Sequence, residues 1–137
     1  MTSTNIFVDT SWYKALVDVQ DDFHDEAASQ SKRLLSQNCL FVTTNFVIDE
    51  TLTLIRVRRS LEISLKFRDL LGDMSSVTKI VRILPQDESK AWEWFPKPWS
   101  KLSFTDCTSF VVMKRLDLKD VASFDDHFAR AGFNVLS

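Results

Sequence analysis

The chain predicts an α/β sandwich with a mainly parallel sheet, and three observations point there. Short apolar runs rich in Val, Ile, Phe or Leu recur near 5–8, 39–43, 78–83, 119–124 and 134–136, each flanked by polar or turn residues as buried strands are. Stretches with helical spacing fill the intervals, near 11–20, 24–38, 45–59, 61–73, 87–95 and 105–116, with a short one near 126–131. Strands that alternate with helices pair in parallel, since each helix carries the chain back across the sheet. Finally, 137 residues with only two glycines and three prolines, no low-complexity run and no repeat leave no linker, so 1–137 is expected to form a single domain.

Taken in order, the first strand is Ile6-Phe7-Val8, and it runs straight into the carboxylate of Asp9. The segment HDEAASQSKRLLSQN has acids in its first turn and bases later, which suits the helix dipole. After the second strand, TTNFVIDETLTLI opens a third helix. Pro85 and Asp87 mark the start of a helix expected to carry Trp92 and Trp94. Ser103 and Asp106 have the spacing of a capping box at the start of the apolar helix that follows. Asp125 and Asp126 end an apolar run and open the last short helix, which Gly132 terminates.

Composition narrows the classes. A hydrophobic fraction of 45% with 26% charged residues is that of a soluble globular protein. The longest apolar runs, such as Phe110-Val111-Val112-Met113, are far too short for a transmembrane helix or a signal-peptide core, so a cytoplasmic location is expected. Cys39 and Cys107 lack metal-ligand spacing and are expected to be buried thiols. A net charge of −2 is not that of a dedicated DNA binder. Contact with nucleic acid then requires a local basic patch, or metal ions that offset the acids.

The acids carry the functional signal. In doubly wound sheets ligands sit at the carboxyl ends of the strands where strand order reverses, and Asp9 lies at such an end. Asp9, Asp106 and Asp125 each admit a capping explanation alone. Glu50 does not, because it lies inside a helical pattern with Phe46, Val47, Thr53 and Leu54 as its neighbours one turn away, while the adjacent Asp49 suits the wet face. Converging on one cleft, the four would repel and raise one another's pKa. Hard divalent cations, whose preferred ligands are oxygen atoms, make such a cluster tolerable. A metal is therefore what Asp9 is expected to face, and carboxylate-held Mg2+ or Mn2+ suits phosphoryl chemistry without a nucleophilic side chain.

FVDTSWYKAL, TTNFVIDETLTLI, LSFTDCTSF and VASFDDHFARAGFNVL, in this order and spacing, resemble PIN-domain ribonucleases, specifically the VapC-like toxins of bacterial and archaeal toxin–antitoxin pairs. The resemblance spans nearly the whole chain. It implies a three-layer α/β/α sandwich with a sheet of four to five strands, and Mg2+/Mn2+-dependent endonucleolytic cleavage of RNA. It also implies a homodimer and a small antitoxin partner whose segment occupies the active-site groove. The family's acids map onto Asp9, Glu50, Asp106 and Asp125 as catalytic and metal-binding residues. Asp125, directly after the strand and three residues before Phe128, fits the family's last acid better than Asp126. Ser11 matches a small hydroxyl found near that metal site. WEWFPKPWSKL is richer in Trp and Pro than the family pattern.

Other features are less specific. RVRRS, at the end of the helix carrying Glu50, could steer an RNA backbone or simply suit a helix C-terminus. Trp92, Trp94, Phe95 and Trp99 interleave with Lys97 and Lys101, either to stack bases or to pack core and dimer interface. His24 and His127 stand at helix starts far apart in sequence and are weak candidates for ligand or base. Rival classes are a catalytically silent PIN-like binding module, a receiver domain and a haloacid-dehalogenase-type phosphatase. The last two fit poorly: Ser11 stands where the phosphatase needs a second Asp, and no lysine follows the strand ending near Phe124.

Overall fold

A computed structural model describes residues 4–137. The chain runs β1 (Asn5–Val8), α1 (Thr10–Val17), α2 (His24–Ser36), β2 (Leu40–Thr44), α3 (Asn45–Arg58), α4 (Leu61–Asp73), a 3-10 turn, β3 (Thr78–Val81), α5 (Pro85–Ala91), α6 (Phe104–Arg115), β4 (Asp120–Ala122), α7 (His127–Arg130) and β5 (Asn134–Val135). The strands form one all-parallel sheet in the order β3-β2-β1-β4-β5, with Phe7 opposite both Val42 and Val121. From β1 the chain therefore winds outward through β2 and β3, then returns to add β4 and β5 on the other side. Right-handed crossovers put the helices of the two halves on opposite faces. Accordingly α1 packs with α2, α3 and α4, while α6 packs with α5 and α7, which gives the expected three-layer α/β/α sandwich.

Helix boundaries follow local chemistry. Thr44 and Ser60 cap α3 and α4 by accepting the N–H groups of Val47 and Ile63, each at 3.1 Å. Three helices end in the same way. In α2, α6 and α7 the residue past the C-cap (Asn38, Asp117 and Gly132) takes a positive φ of 57°, 55° and 99°. In each the next residue's N–H reaches back to the last turn, Cys39 to the Leu34 carbonyl, Leu118 to Met113 and Phe133 to Phe128. In a chain so poor in glycine, Asn and Asp supply two of the three left-handed stops.

The core lies between sheet and helices, with Phe7, Phe41, Trp12, Tyr13, Phe67, Phe110 and Phe128 fully buried. Burying side chains of this size contributes roughly 1.5–3 kcal/mol each relative to exposure. Helix α6 is buried from Asp106 through Met113, because it packs on the sheet through Phe110, Val112 and Met113 and on α5 through Cys107 and Val111. Cys39 and Cys107 are buried free thiols, as expected.

Four boundaries differ from the sequence expectation. Helix α5 begins at Pro85 and ends at Ala91, so it carries neither Trp92 nor Trp94. Its start is fixed by the Leu84 N–H donating to Asp87 Oδ2 at 2.9 Å, and Pro96 and Pro98 bias the residues before them away from helix. β3 stops at Val81 because the Ile83 N–H leaves the sheet for Asn45 Oδ1, at 2.8 Å. β4 stops at Ala122, where Ser123 turns inward. α1 stops at Val17, and buried Asp18 accepts the Gln20 N–H and pairs with Arg59 Nε at 2.9 Å.

Candidate active site

The sheet reverses its winding between β1 and β4, so their carboxyl ends flank the crevice expected at such a point. Asp9 follows β1 directly, and Asp125 lies three residues past the end of β4. Helices α3 and α6, from opposite layers, touch one another and bring Glu50 and Asp106 to the same place. All four carboxylates expected from the sequence line one cleft of about 510 Å³, together with Ser11, Lys14, Asp21, Phe23, Arg58, Lys101 and Phe124 among others.

Asp9 stands at the N-cap position of α1, yet its side chain makes no capping bond. Instead Ser123 Oγ donates to Asp9 Oδ2 at 2.7 Å and Ser11 Oγ donates to the same oxygen at 2.8 Å. Each hydroxyl has one proton, so both are engaged on Oδ2, and Oδ1 takes no hydrogen bond from the described residues. The two hydroxyl oxygens in turn accept the N–H groups of Asp125 and Phe124, at 3.0 and 2.9 Å. Ser11 thus ties Asp9 to the turn bearing Asp125, which is more than the nearby hydroxyl the family pattern suggested. Ser123 has the same role; it lies within VASFDDHFARAGFNVL but was not singled out from it.

Asp106 completes the capping box of α6 and also lines the cleft. The Ser103 N–H donates to Asp106 Oδ2 at 3.1 Å, and the Asp106 N–H donates to Ser103 Oγ at 3.0 Å. Asp125 Oδ1 accepts the His127 N–H at 3.0 Å, whereas Asp126 occupies the N-cap position of α7 and pairs with Arg130 at the surface. Glu50 is half-buried and has no hydrogen bond or ion pair among the described residues, while Asp49 faces solvent.

Burial is the main cause of the perturbed titration. It raises Asp9 from 3.8 to about 6, opposed by the Ser123 and Ser11 hydroxyls and reinforced by the charges of Asp125 and Glu50. It raises Asp106 from 3.8 to about 7, with the charge of Asp9 next in size and the Ser103 N–H opposing. His127 adds a donor beside the carboxylates. Its Nε2 lies 2.7 Å from the Ser100 carbonyl, which can only accept, so Nε2 carries a proton. Nδ1 lies 3.2 Å from Asp106 Oδ2 and 2.9 Å from Asp125 Oδ1, which fits a second proton. Burial pulls its pKa down, but the Ser100 carbonyl and the two carboxylates outweigh that and raise it. The two carboxylates thus favour the protonated form of His127. Asp106, Asp125 and His127 bring atoms of ligand type within 4.8 Å of one another. His24 lies elsewhere, bonded through Nδ1 to the Ala15 carbonyl at 2.8 Å.

The donor set fits a divalent cation. It offers oxygens of hard-ion type, one of them Asp9 Oδ1, together with a carboxylate, Glu50, that no donor among the described residues satisfies.

The basic and aromatic candidates divide. Arg58 lines the cleft, but Arg59 is engaged by Asp18 and Gln20 and does not line it. Trp94 and Trp99 pack against the core, and Trp99 stacks on the His127 ring. Lys97 sits over both indoles. Trp92 is exposed but does not line the cleft. Lys101 does, on a backbone with φ of 62°. Lys14, Phe23 and Phe124 also line it; Lys14 and Phe124 lie within quoted motifs but were not singled out there, and Phe23 lies outside them.

An all-parallel α/β/α sandwich with carboxylates gathered at its switch point is suited to metal-assisted phosphoryl chemistry. The chain belongs to the PIN domain family, whose pattern matches residues 6–134. It is 34% identical over 130 residues to the 23S rRNA-specific endonuclease VapC20 of Mycobacterium tuberculosis, in strains CDC 1551 / Oshkosh and ATCC 25618 / H37Rv, covering 93% of this chain and 95% of the relative. The crystal structure of Mycobacterium tuberculosis VapC20, described as a Sarcin-Ricin loop cleaving toxin, superposes with a TM-score of 0.79 at 32% identity, over 93% of this chain and 95% of that one. The resemblance to PIN-domain ribonucleases of the VapC type, read from four motifs, is borne out.

Proposed function

We propose that this PIN-domain endoribonuclease works with Mg2+ or Mn2+ bound through Asp9, Glu50, Asp106 and Asp125. The observation that carries this is the convergence of four carboxylates, from four separate parts of the chain, on one cleft. When bound, a divalent cation supplies neutralising charge at the phosphate and a water of lowered pKa. Asp9 and Asp106 are the most buried of the ligands, and Ser11, Ser123 and the Ser103 N–H hold their geometry. The Nδ1–H of His127 fixes Asp106 against Asp125. Glu50, with no hydrogen-bond or ion-pair partner among the described residues, is suited to a bound ion directly or to orienting the attacking water. Arg58 and Lys101 are placed to hold flanking phosphates.

At this level of identity to a 23S rRNA-specific enzyme, ribosomal RNA is the substrate class proposed. A small antitoxin and a homodimeric state are proposed on the same family grounds. A cytoplasmic location is supported by two buried free thiols, and no helix among the described residues is long and apolar enough to cross a membrane. The whole chain would act as one domain. A silent binding module is disfavoured by the presence of all four acids.

The test is cleavage of total RNA by antitoxin-free protein in Mn2+ and in EDTA, with Asp106→Asn as control. Discrete fragments that need both the metal and Asp106 are expected. Fragments that persist in EDTA or with Asp106→Asn would overturn the assignment.

A further inference from the structure

The exposed aromatic at the acidic cleft is Phe23. Its ring stacks on Phe124, with centroids 4.6 Å apart and planes within 7°. Phe124 lies between Ser123 and Asp125, and its N–H donates to Ser11 Oγ, so the network that fixes Asp9 also fixes this ring. Phe23 covers Phe124 yet remains 46% exposed.

The turn that carries Phe23 is held at several points. The Phe23 N–H donates to Asp21 Oδ1 at 2.9 Å, and Asp21 Oδ2 takes Lys14 Nζ at 2.7 Å. Asp18, buried, binds Lys14 and Arg59. His24 Nδ1 bonds the Ala15 carbonyl across the same turn. The phenyl ring is thus pre-organised, with one face on Phe124 and the other open at the rim of a polar cleft. An apolar face held there gains only when something flat and apolar covers it.

We propose that the Phe23–Phe124 stack is the subsite for one unpaired base of the RNA, beside the phosphate that is cut. The proposal rests on the ribonuclease reading above and adds what that reading lacks, a reason for choosing among RNA structures. A base within a duplex is stacked on both sides and has no face to offer, whereas a base in a loop or single strand can lie on an aromatic ring. Every base has a π-face, so the stack selects unpaired structure rather than base identity. Arg58 and Lys101 reach the backbone at the same cleft, while Lys14 is engaged by Asp21 and Asp18.

The test uses synthetic hairpins spanning the cut site mapped with the wild-type protein, each with an abasic residue at one position flanking the cut. Phe23→Leu keeps an apolar cover on Phe124 and removes the aromatic face; Phe23→Trp keeps both. Phe23→Leu is expected to raise KM by about tenfold or more with kcat little changed, and Phe23→Trp to restore it. Wild type should lose a similar factor on one abasic hairpin, where Phe23→Leu loses nothing further. An unchanged KM for Phe23→Leu, or abasic penalties equal in the two proteins, would overturn the subsite. The abasic series on wild type decides even if Phe23→Leu folds poorly, since no penalty at any flanking position also overturns it. A wild-type protein that cleaves no RNA in Mn2+ would instead remove the ribonuclease reading and the subsite with it.

Discussion

Asp9→Asn should stabilise the metal-free protein, by an amount that grows as pH rises from about 4 to about 6 and is full above that. Burial raises the Asp9 carboxyl from 3.8 to about 6, which corresponds to roughly 3 kcal/mol against the ionised form in the native state. Because the folded pKa lies above the unfolded one, the native state binds the proton more tightly. Stability is then fully present below the unfolded value and is lost as pH rises through the folded value. Asparagine carries no charge at any pH, and its Oδ1 can still accept from Ser11 and Ser123. Part of the relief is shared with Asp106, which Asp9 also repels, so a gain of about 1–3 kcal/mol is expected at about pH 8, roughly half of it at about pH 5 and almost none at about pH 3, and about pH 8 and about pH 3 are the two values to compare. For a chain of this size that is a rise in Tm of roughly 4 °C per kcal/mol. Thermal and urea unfolding in EDTA at the two pH values measures it. Saturating Mn2+ should reverse the ranking, because only wild type gains stability from binding. A variant destabilised equally at both pH values would show that Asp9 is a structural acceptor for two serines, and the electrostatic explanation of the cluster would fall.

Ser123→Ala removes a donor from Asp9 and the acceptor of the Asp125 N–H. It should cost about 1–3 kcal/mol and move the alkaline rise of Mn2+-dependent cleavage to higher pH, as read from a pH–rate profile. Gly132→Ala meets no atom within 4 Å but forces alanine to a φ of 99°. It should cost roughly 1–2 kcal/mol in urea unfolding while leaving cleavage unchanged. Arg58→Ala or Lys101→Ala should weaken RNA binding and reduce the salt dependence of log K by about one, with Mn2+ affinity retained in calorimetry. A loss of Mn2+ affinity in either variant would mean that these side chains support the acids rather than the RNA.

The strands and most helices were legible because their periodicities differ and because the helix stops carry local chemistry, as at Asn38, Asp117 and Gly132. The four acids were legible because each adjoins a strand end or lies on an apolar helix face, and because capping could not account for Glu50. Where the sequence misled, long-range contacts had decided the outcome. Nothing local says that the Ile83 N–H will leave the sheet for Asn45, whereas Pro96 and Pro98 were a local signal against extending α5 that the helical spacing overrode. Of the two roles open to the Trp-rich segment, Trp94 and Trp99 take the packing one, serving the core and bracing His127. Phe23, from an acidic turn, stands at the cleft instead. Its pairing with Phe124, like that of Ser11 with Ser123, joins residues about a hundred positions apart. His127 looked like any residue at a helix start; its significance rests on Ser100, Asp106 and Asp125 meeting it in space.

The most direct test of the central claim is a crystal structure of the antitoxin-free protein soaked in Mn2+, with anomalous differences measured for wild type and Asp106→Asn. An anomalous peak bonded to oxygens of Asp9, Asp106 and Asp125, with Glu50 bound directly or through water, and absent from the variant, is the predicted result. Well-ordered carboxylates with no peak between them, or a peak that survives Asp106→Asn unchanged, would contradict it.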